Sequence, residues 1–189
     1  MLRELNLDDI TLLRAMSGWS RVNTRMLMSA VNFKRTKFYN CINKLIRLGL
    51  IDRILTGEYR LTEQGRILAE RLIDPSEASK VLNGEGEPLR LKISDSEIEI
   101  RNLNDFRSVI GEVENEDLYQ QVRTSNLSKW LYALGDKYLS REVNKLKAIA
   151  TRSNVKDRLK NMIEERVRFL EELASIVSLP RRGRPVRQY

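Results

Sequence analysis

Between Lys34 and Leu48 apolar residues recur at the spacing of one helix face: Phe38, Cys41, Ile42, Leu45 and Ile46. The other face of this expected helix is polar and basic, and Gly49 supplies the left-handed stop. The period then changes. Leu50-Ile51-Asp52-Arg53-Ile54-Leu55 and Glu58-Tyr59-Arg60-Leu61 are β-rich runs joined by Thr56-Gly57, with glycine where a tight turn tolerates positive φ. A helix that runs straight into a short hairpin is the tightest local constraint in the chain.

The flanking sequence supplies more helices. Leu7-Asp8-Asp9-Ile10 opens one that runs through Met16, with acids in the first turn where they complement the helix dipole. A second runs from Asn23 or Thr24 to Val31. After the hairpin, Thr62 caps a helix whose apolar stripe is Ile67, Leu68 and Leu72, ending at Asp74-Pro75. The order over residues 1–75 is therefore helix, helix, helix, hairpin, helix.

Charge singles out the same region. The 189-residue chain has 34 Lys plus Arg against 26 Asp plus Glu, a net charge of +8. No acid falls between Asp9 and Asp52, whereas Arg14, Arg21, Arg25, Lys34, Arg35, Lys37, Lys44 and Arg47 all do. An acid-free run over a foldable pattern suits a polyanion. On the third helix, Lys37, Asn40, Lys44 and Arg47 fall at i, i+3, i+7 and i+10, one stripe of a helix, with Arg35, Thr36 and Asn43 beside it.

The element order resembles the winged helix-turn-helix domains of prokaryotic transcription regulators. So does the pattern Asn43-Lys-Leu-Ile-Arg-Leu-Gly-Leu-Ile-Asp-Arg followed by Tyr59-Arg-Leu-Thr-Glu-Gln-Gly-Arg. The resemblance implies a third helix in the major groove and a hairpin wing on the neighbouring backbone. On that reading Arg35, Lys37 and Asn40 are best suited to base edges, with Lys34 at the entry to the helix. Thr36, Tyr39, Asn43, Lys44 and Arg47 would hold phosphates. The wing departs from the family pattern, because its tip is only Thr56-Gly57 followed by Glu58. Its help is expected from Arg53 and Arg60. The same basic face also suits RNA or an acidic protein, so RNA binding and a winged-helix adaptor stand as alternatives.

Residues 76–88, polar and glycine-rich, read as a linker whose first part extends the preceding helix or not. Beyond it Leu89-Arg-Leu-Lys-Ile and Glu97-Ile-Glu-Ile alternate as a half-buried hairpin. Asn104 is expected to cap a helix holding Phe106, Val109 and Ile110; helices from Glu116, from Ser125 or Asn126, and from Asp136 to Leu146 follow. This stretch resembles, more weakly, a small prokaryotic helical domain without an assigned activity. Trp130 and Tyr119 read as core aromatics. Residues 154–178 form a long amphipathic helix carrying Leu159, Ile163, Val167, Leu170, Ala174 and Val177. That stripe either pairs with a second copy, giving a homodimer through residues 154–178, or closes the helical unit.

The tail is basic. Arg181-Arg182-Gly183-Arg184-Pro185 contains Arg-Gly-Arg-Pro, which resembles the core of the AT-hook, a segment that lies in the minor groove of AT-rich duplex. With no histidine and only Cys41 among the thiols, neither Ser-His-Asp chemistry nor a Cys/His zinc site can be built. No cofactor, metal or enzymatic activity is expected. No apolar run is long enough for a membrane span, and the placement expected is cytoplasmic, with the nucleoid.

The expected fold class is mainly α. It comprises a winged helix-turn-helix domain over 1–75, a linker over 76–88, a helical assembly or partner domain over 89–179, and an AT-hook-like tail over 180–189. The expected function is sequence-biased binding of double-stranded DNA, by a transcription regulator or chromosome-associated protein.

Overall fold

A computed structural model describes residues 2–93 and 96–178. The chain is mainly helical with two small antiparallel sheets. In order come α1 (Leu7–Met16), β1 (Val22–Asn23), α2 (Thr24–Val31), α3 (Arg35–Arg47), β2 (Ile51–Leu55), β3 (Glu58–Leu61), α4 (Glu63–Arg71) and α5 (Pro75–Asn83). The second part holds β4 (Leu89–Ile93), β5 (Ser96–Ile100), α6 (Leu103–Val109), α7 (Asn115–Arg123), α8 (Asn126–Ala133), α9 (Lys137–Lys145) and α10 (Val155–Ser178). Residues 181–185 of the AT-hook-like tail lie outside the described residues.

Short polar side chains start most of these helices by accepting from otherwise unpaired first-turn N–H groups. Asn6 and Asp9 form a reciprocal capping box on α1, Asn23 caps α2, Thr62 caps α4 and Asp74 caps α5. The cap of α6 is Asn102, not the expected Asn104; Asn104 lies inside the helix and donates to Asn83 Oδ1. On α4 the buried residues are Leu68 and Ala69, with Leu72 just beyond, while Ile67 faces out at 50% exposure.

The first sheet has three strands rather than the two expected, in the order β1-β3-β2. Val22 pairs with Tyr59 and Asn23 with Glu58. The register of β2 on β3 shifts between Arg53 and Leu55, and Gly57 turns the hairpin at φ +80°. Thr24 locks this turn to the start of α2: its N–H and Oγ1 both donate to Gly57 O, at 2.8 and 3.1 Å. The start of α4 is held with equal closeness. Thr62 Oγ1 donates to Gly49 O at 2.7 Å and accepts from Gly65 N–H at 3.0 Å. A Cβ at Gly65 would sit 1.9 Å from Leu50 O, so only glycine lets the two backbones meet.

The expected linker over 76–88 is corrected. Its first part is α5, which packs along α10 and buries Ala78, Val81 and Leu82. The rest is pinned: Gly86 N–H donates to Arg101 O at 3.1 Å, and the indole of Trp130 donates to Glu87 O at 2.8 Å. The periodic apolar residues of α5 are too few to announce a helix, but α10 gives them a partner. One continuous cluster of buried side chains runs from Leu2 to Leu173 across both parts of the chain.

Of the two readings of the α10 stripe, closure of the helical unit accounts for its described core: Leu159, Ile163, Val167 and Leu170 are all 0% exposed inside this chain, as are Val155 and Leu173 beside them, so this part of the stripe covers its own core. Beside it lies a fully buried ion pair. Arg166 donates from Nε and Nη2 to Asp136 at 2.7 and 2.9 Å, and from Nη1 to Arg71 O at 2.8 Å. Asp136 also caps α9, so the Arg166–Asp136 pair joins α9, α10 and the end of α4. Trp130 is buried edge-on against Phe106, as a core aromatic should be. Among the described residues no helix is long and apolar enough to cross a membrane.

Candidate nucleic-acid interface

Helix α3 presents its charge unevenly. Phe38, Cys41, Ile42 and Leu45 are buried, and the 3.6-residue period places Thr36, Asn40, Asn43 and Arg47 directly opposite them, all exposed. Lys37 and Lys44 lie on the flank that meets α1. Lys37 Nζ is 2.7 Å from Asp8 Oδ1, and Lys44 Nζ is 2.5 Å from Asp9 Oδ2. Asp9 is fully buried, and its Oδ2 also accepts from Asn6 N–H at 2.9 Å.

The stripe read from spacing is thereby divided between paired and unpaired residues. Lys44 is a structural counter-ion and Lys37 is held back by Asp8 and by the face of Phe33, 4.5 Å from its ring centroid. The outward set on α3 is Arg35, Thr36, Asn40, Asn43 and Arg47. Lys34 is exposed at the entry to the helix, where its side chain makes no cap. Tyr39 is half-buried on the other flank, edge-on to Phe38, with the Arg35 guanidinium 5.9 Å from its ring. No acid occupies the first turn of α3, so the positive helix pole and Arg35 act together.

The hairpin contributes less than its sequence suggests. Arg60 is bonded across the strands to Asp52, Nε and Nη2 each at 3.2 Å from Oδ2. Arg53 is exposed and stands over Tyr59 at 6.0 Å. Leu55, at the hairpin end, is 62% exposed.

Two cations not assigned to the interface from sequence lie next to the hairpin turn. Arg21 precedes β1 and Arg25 lies in the first turn of α2, next to the hairpin turn that Thr24 holds. Both are exposed. Among the described residues Arg21, Arg25, Lys34, Arg35, Arg47 and Arg53 have no carboxylate partner, in contrast to Lys37, Lys44 and Arg60. The acid-free run contained both arginines and was the signal for them.

The buried thiol of Cys41 lies behind this face. Burial, and after it the negative charge of Asp9, pushes its pKa up to about 12, so it stays a neutral thiol. Among the described residues no cluster of three or more carboxylate or thiol side chains is placed to hold a metal. No family model, curated protein or solved structure matches the chain.

Proposed function

We propose that this chain binds double-stranded DNA with sequence bias, as a transcription regulator or chromosome-associated protein, through the outer face of α3. The observation that carries the reading is a set of exposed cations without carboxylate partners among the described residues: Lys34, Arg35 and Arg47 on α3 and at its entry, Arg21 and Arg25 at the start of α2, and Arg53 on the hairpin. All of them but Arg53 stand in the part of the chain where no acid intervenes between Asp9 and Asp52. Unneutralised cations are what phosphate binding requires, since each one that meets a phosphate releases a condensed counterion.

The element order α1-β1-α2-α3-β2-β3 and the strand order β1-β3-β2 agree with the winged helix-turn-helix resemblance. In that arrangement α3 enters the major groove. Asn40, central on the outer face, pairs bidentately with adenine, and Arg35 with guanine. Thr36, Asn43 and Arg47 hold backbone, with Arg25 at the start of α2 and Arg53 on the hairpin. The tail residues Arg181, Arg182, Gly183, Arg184 and Pro185 add minor-groove affinity, a reading that rests on their sequence alone.

The test is retention of the full-length chain on random-sequence duplex at two salt concentrations, with sequencing of the selected fraction. Salt-sensitive retention with an enriched motif supports a regulator, and retention with AT bias alone supports a chromosomal role led by the tail. Absence of retention at low salt, with structured RNA retained instead, moves the site to RNA. Absence of both leaves the adaptor reading.

A further inference from the structure

The antiparallel helices α8 and α9 enclose a second cationic site, a cleft of about 530 Å³. Lys129 and Tyr132 come from α8; Lys137, Arg141 and Asn144 come from α9 at i, i+4 and i+7. No carboxylate lines it, although residues 76–180 hold 18 acids against 17 bases. An acid-free cleft in an acid-rich segment is a local concentration of positive potential.

The cations are available. Among the described residues neither Lys129 nor Lys137 pairs with a carboxylate; Lys137 stands 5.6 Å from the ring centroid of the exposed Tyr132. Arg141 is held at the rim by Glu70 at 3.2 Å and Glu142 at 3.9 Å, which fixes its direction and leaves part of its donor fork unused. At the far end Lys147 Nζ donates to Ser125 Oγ, bringing a further ammonium to the cleft. The serine hydroxyls of the floor are committed as donors: Ser140 Oγ to Ser128 O and Ser128 Oγ to Ser125 O. Recognition therefore falls to the lysines, Arg141 and the amide of Asn144, all suited to an oxyanion.

We propose that the α8–α9 cleft binds phosphate groups. The groove is open to solvent, and several ammonium groups along it match the oxygens of two or more linked phosphates better than a single carboxylate. Tyr132 offers a ring face beside Lys137, so a base attached to the phosphate stacks at that end. The phosphate belongs either to a free phosphorylated molecule or to the backbone of the duplex proposed for α3. The inference itself stands without the α3 reading.

The experiment titrates inorganic tripolyphosphate, and separately a random-sequence duplex, into the full chain and into the double variant Lys129→Gln/Lys137→Gln. Both substitutions are on exposed residues, and an unchanged melting curve verifies the fold. Tripolyphosphate is expected to bind the unaltered chain at least tenfold more tightly than the variant, with amide shifts centred on residues 125–144. Loss of tripolyphosphate binding with unchanged duplex affinity identifies a free phosphorylated ligand. Loss of both, with a duplex salt slope lowered by about 2 for the two lysines removed, identifies backbone contact. Equal tripolyphosphate binding by both proteins, or binding by neither, overturns the proposal. Arg47→Ala is the control: it weakens duplex binding if α3 is the reader and leaves tripolyphosphate binding unchanged, so failure of one site is distinguishable from failure of the other.

Discussion

Lys44 and Arg47 lie one helical turn apart on α3, and the structure gives them opposite duties. Asp9 is completely buried; one of its oxygens has no partner, and the other is shared between Asn6 N–H and Lys44 Nζ. Lys44→Ala removes the one cation paired with it among the described residues and leaves a buried carboxylate with Asn6 N–H and the neighbouring neutral Cys41 thiol. Breaking a fully buried pair from one side costs about 3–5 kcal/mol. The Lys44 side chain is 28% exposed, so truncation admits some water and places the expected loss near the low end, about 3 kcal/mol. For a chain of this length that lowers the melting temperature by roughly 6–12 °C. Arg47 is exposed and unpaired among the described residues, so Arg47→Ala changes stability by no more than about 0.5 kcal/mol. Binding shows the reverse pattern. Arg47→Ala lowers the slope of log affinity against log salt by about 1, and Lys44→Ala, assayed well below its melting temperature, leaves the slope unchanged. Denaturant titration and duplex binding at several salt concentrations read both quantities. A Lys44→Ala protein that is as stable as the parent and loses a unit of salt slope would falsify the assignment of Lys44 as the counter-ion of Asp9.

Three further outcomes are expected. Arg166→Met leaves Asp136, 0% exposed, without its two guanidinium donors and destabilises by about 3–5 kcal/mol; adding Asp136→Asn recovers part of this, since the neutral amide still caps α9. Strict additivity of the two changes in a denaturation cycle would refute the pairing. Gly65→Ala forces a methyl against Leu50 O and costs about 3 kcal/mol or more, read by thermal melting; a neutral effect would mean that α4 swings away freely. Cys41, raised to about 12, keeps its proton in the folded chain when the unfolded thiol, near 9, loses it. Its contribution to stability is therefore full below pH 9 and is lost as pH rises toward 12, and Cys41→Ala flattens that part of the alkaline decline. Native alkylation at pH 8 proceeds only as fast as the chain opens, and rapid labelling of the folded protein would contradict the burial.

Much of the fold is legible along the sequence because its cues are local. Asn23 and Thr62 mark helix starts through bonds that reach only three residues onward, and Gly57 marks a turn by its own dihedral angle. What escapes is decided by distant partners. Val22 and Asn23 become a strand only because Tyr59 and Glu58 stand beside them. The apolar residues of α5 look too sparse for a packed helix until α10 covers them, and the stripe of α10 looks available to a second copy until α5 fills it. One stretch read as a linker and one face of α10 thus meet in the same contact.

The candidate site shows the same division in its charges. Helical spacing alone ranks Lys37, Asn40, Lys44 and Arg47 together, since it registers only their positions on α3. Which of them retains its charge toward solvent depends on Asp8 and Asp9, on the first turn of a helix that the sequence presents as an ordinary acidic start. Those acids serve two ends at once. Asp9 completes the capping box that begins α1, and the same carboxylate draws Lys44 inward, while Asp8 takes Lys37. Burial of Phe38, Cys41, Ile42 and Leu45 turns Asn40, with Thr36, Asn43 and Arg47, outward, and the acids then neutralise the two lysines on the α1 flank. The acids that bound the acid-free run do not merely end it. They select which cations of a basic helix are left unneutralised, and the polar amide of Asn40 stands among that remainder, where the proposed function places the reading of base identity.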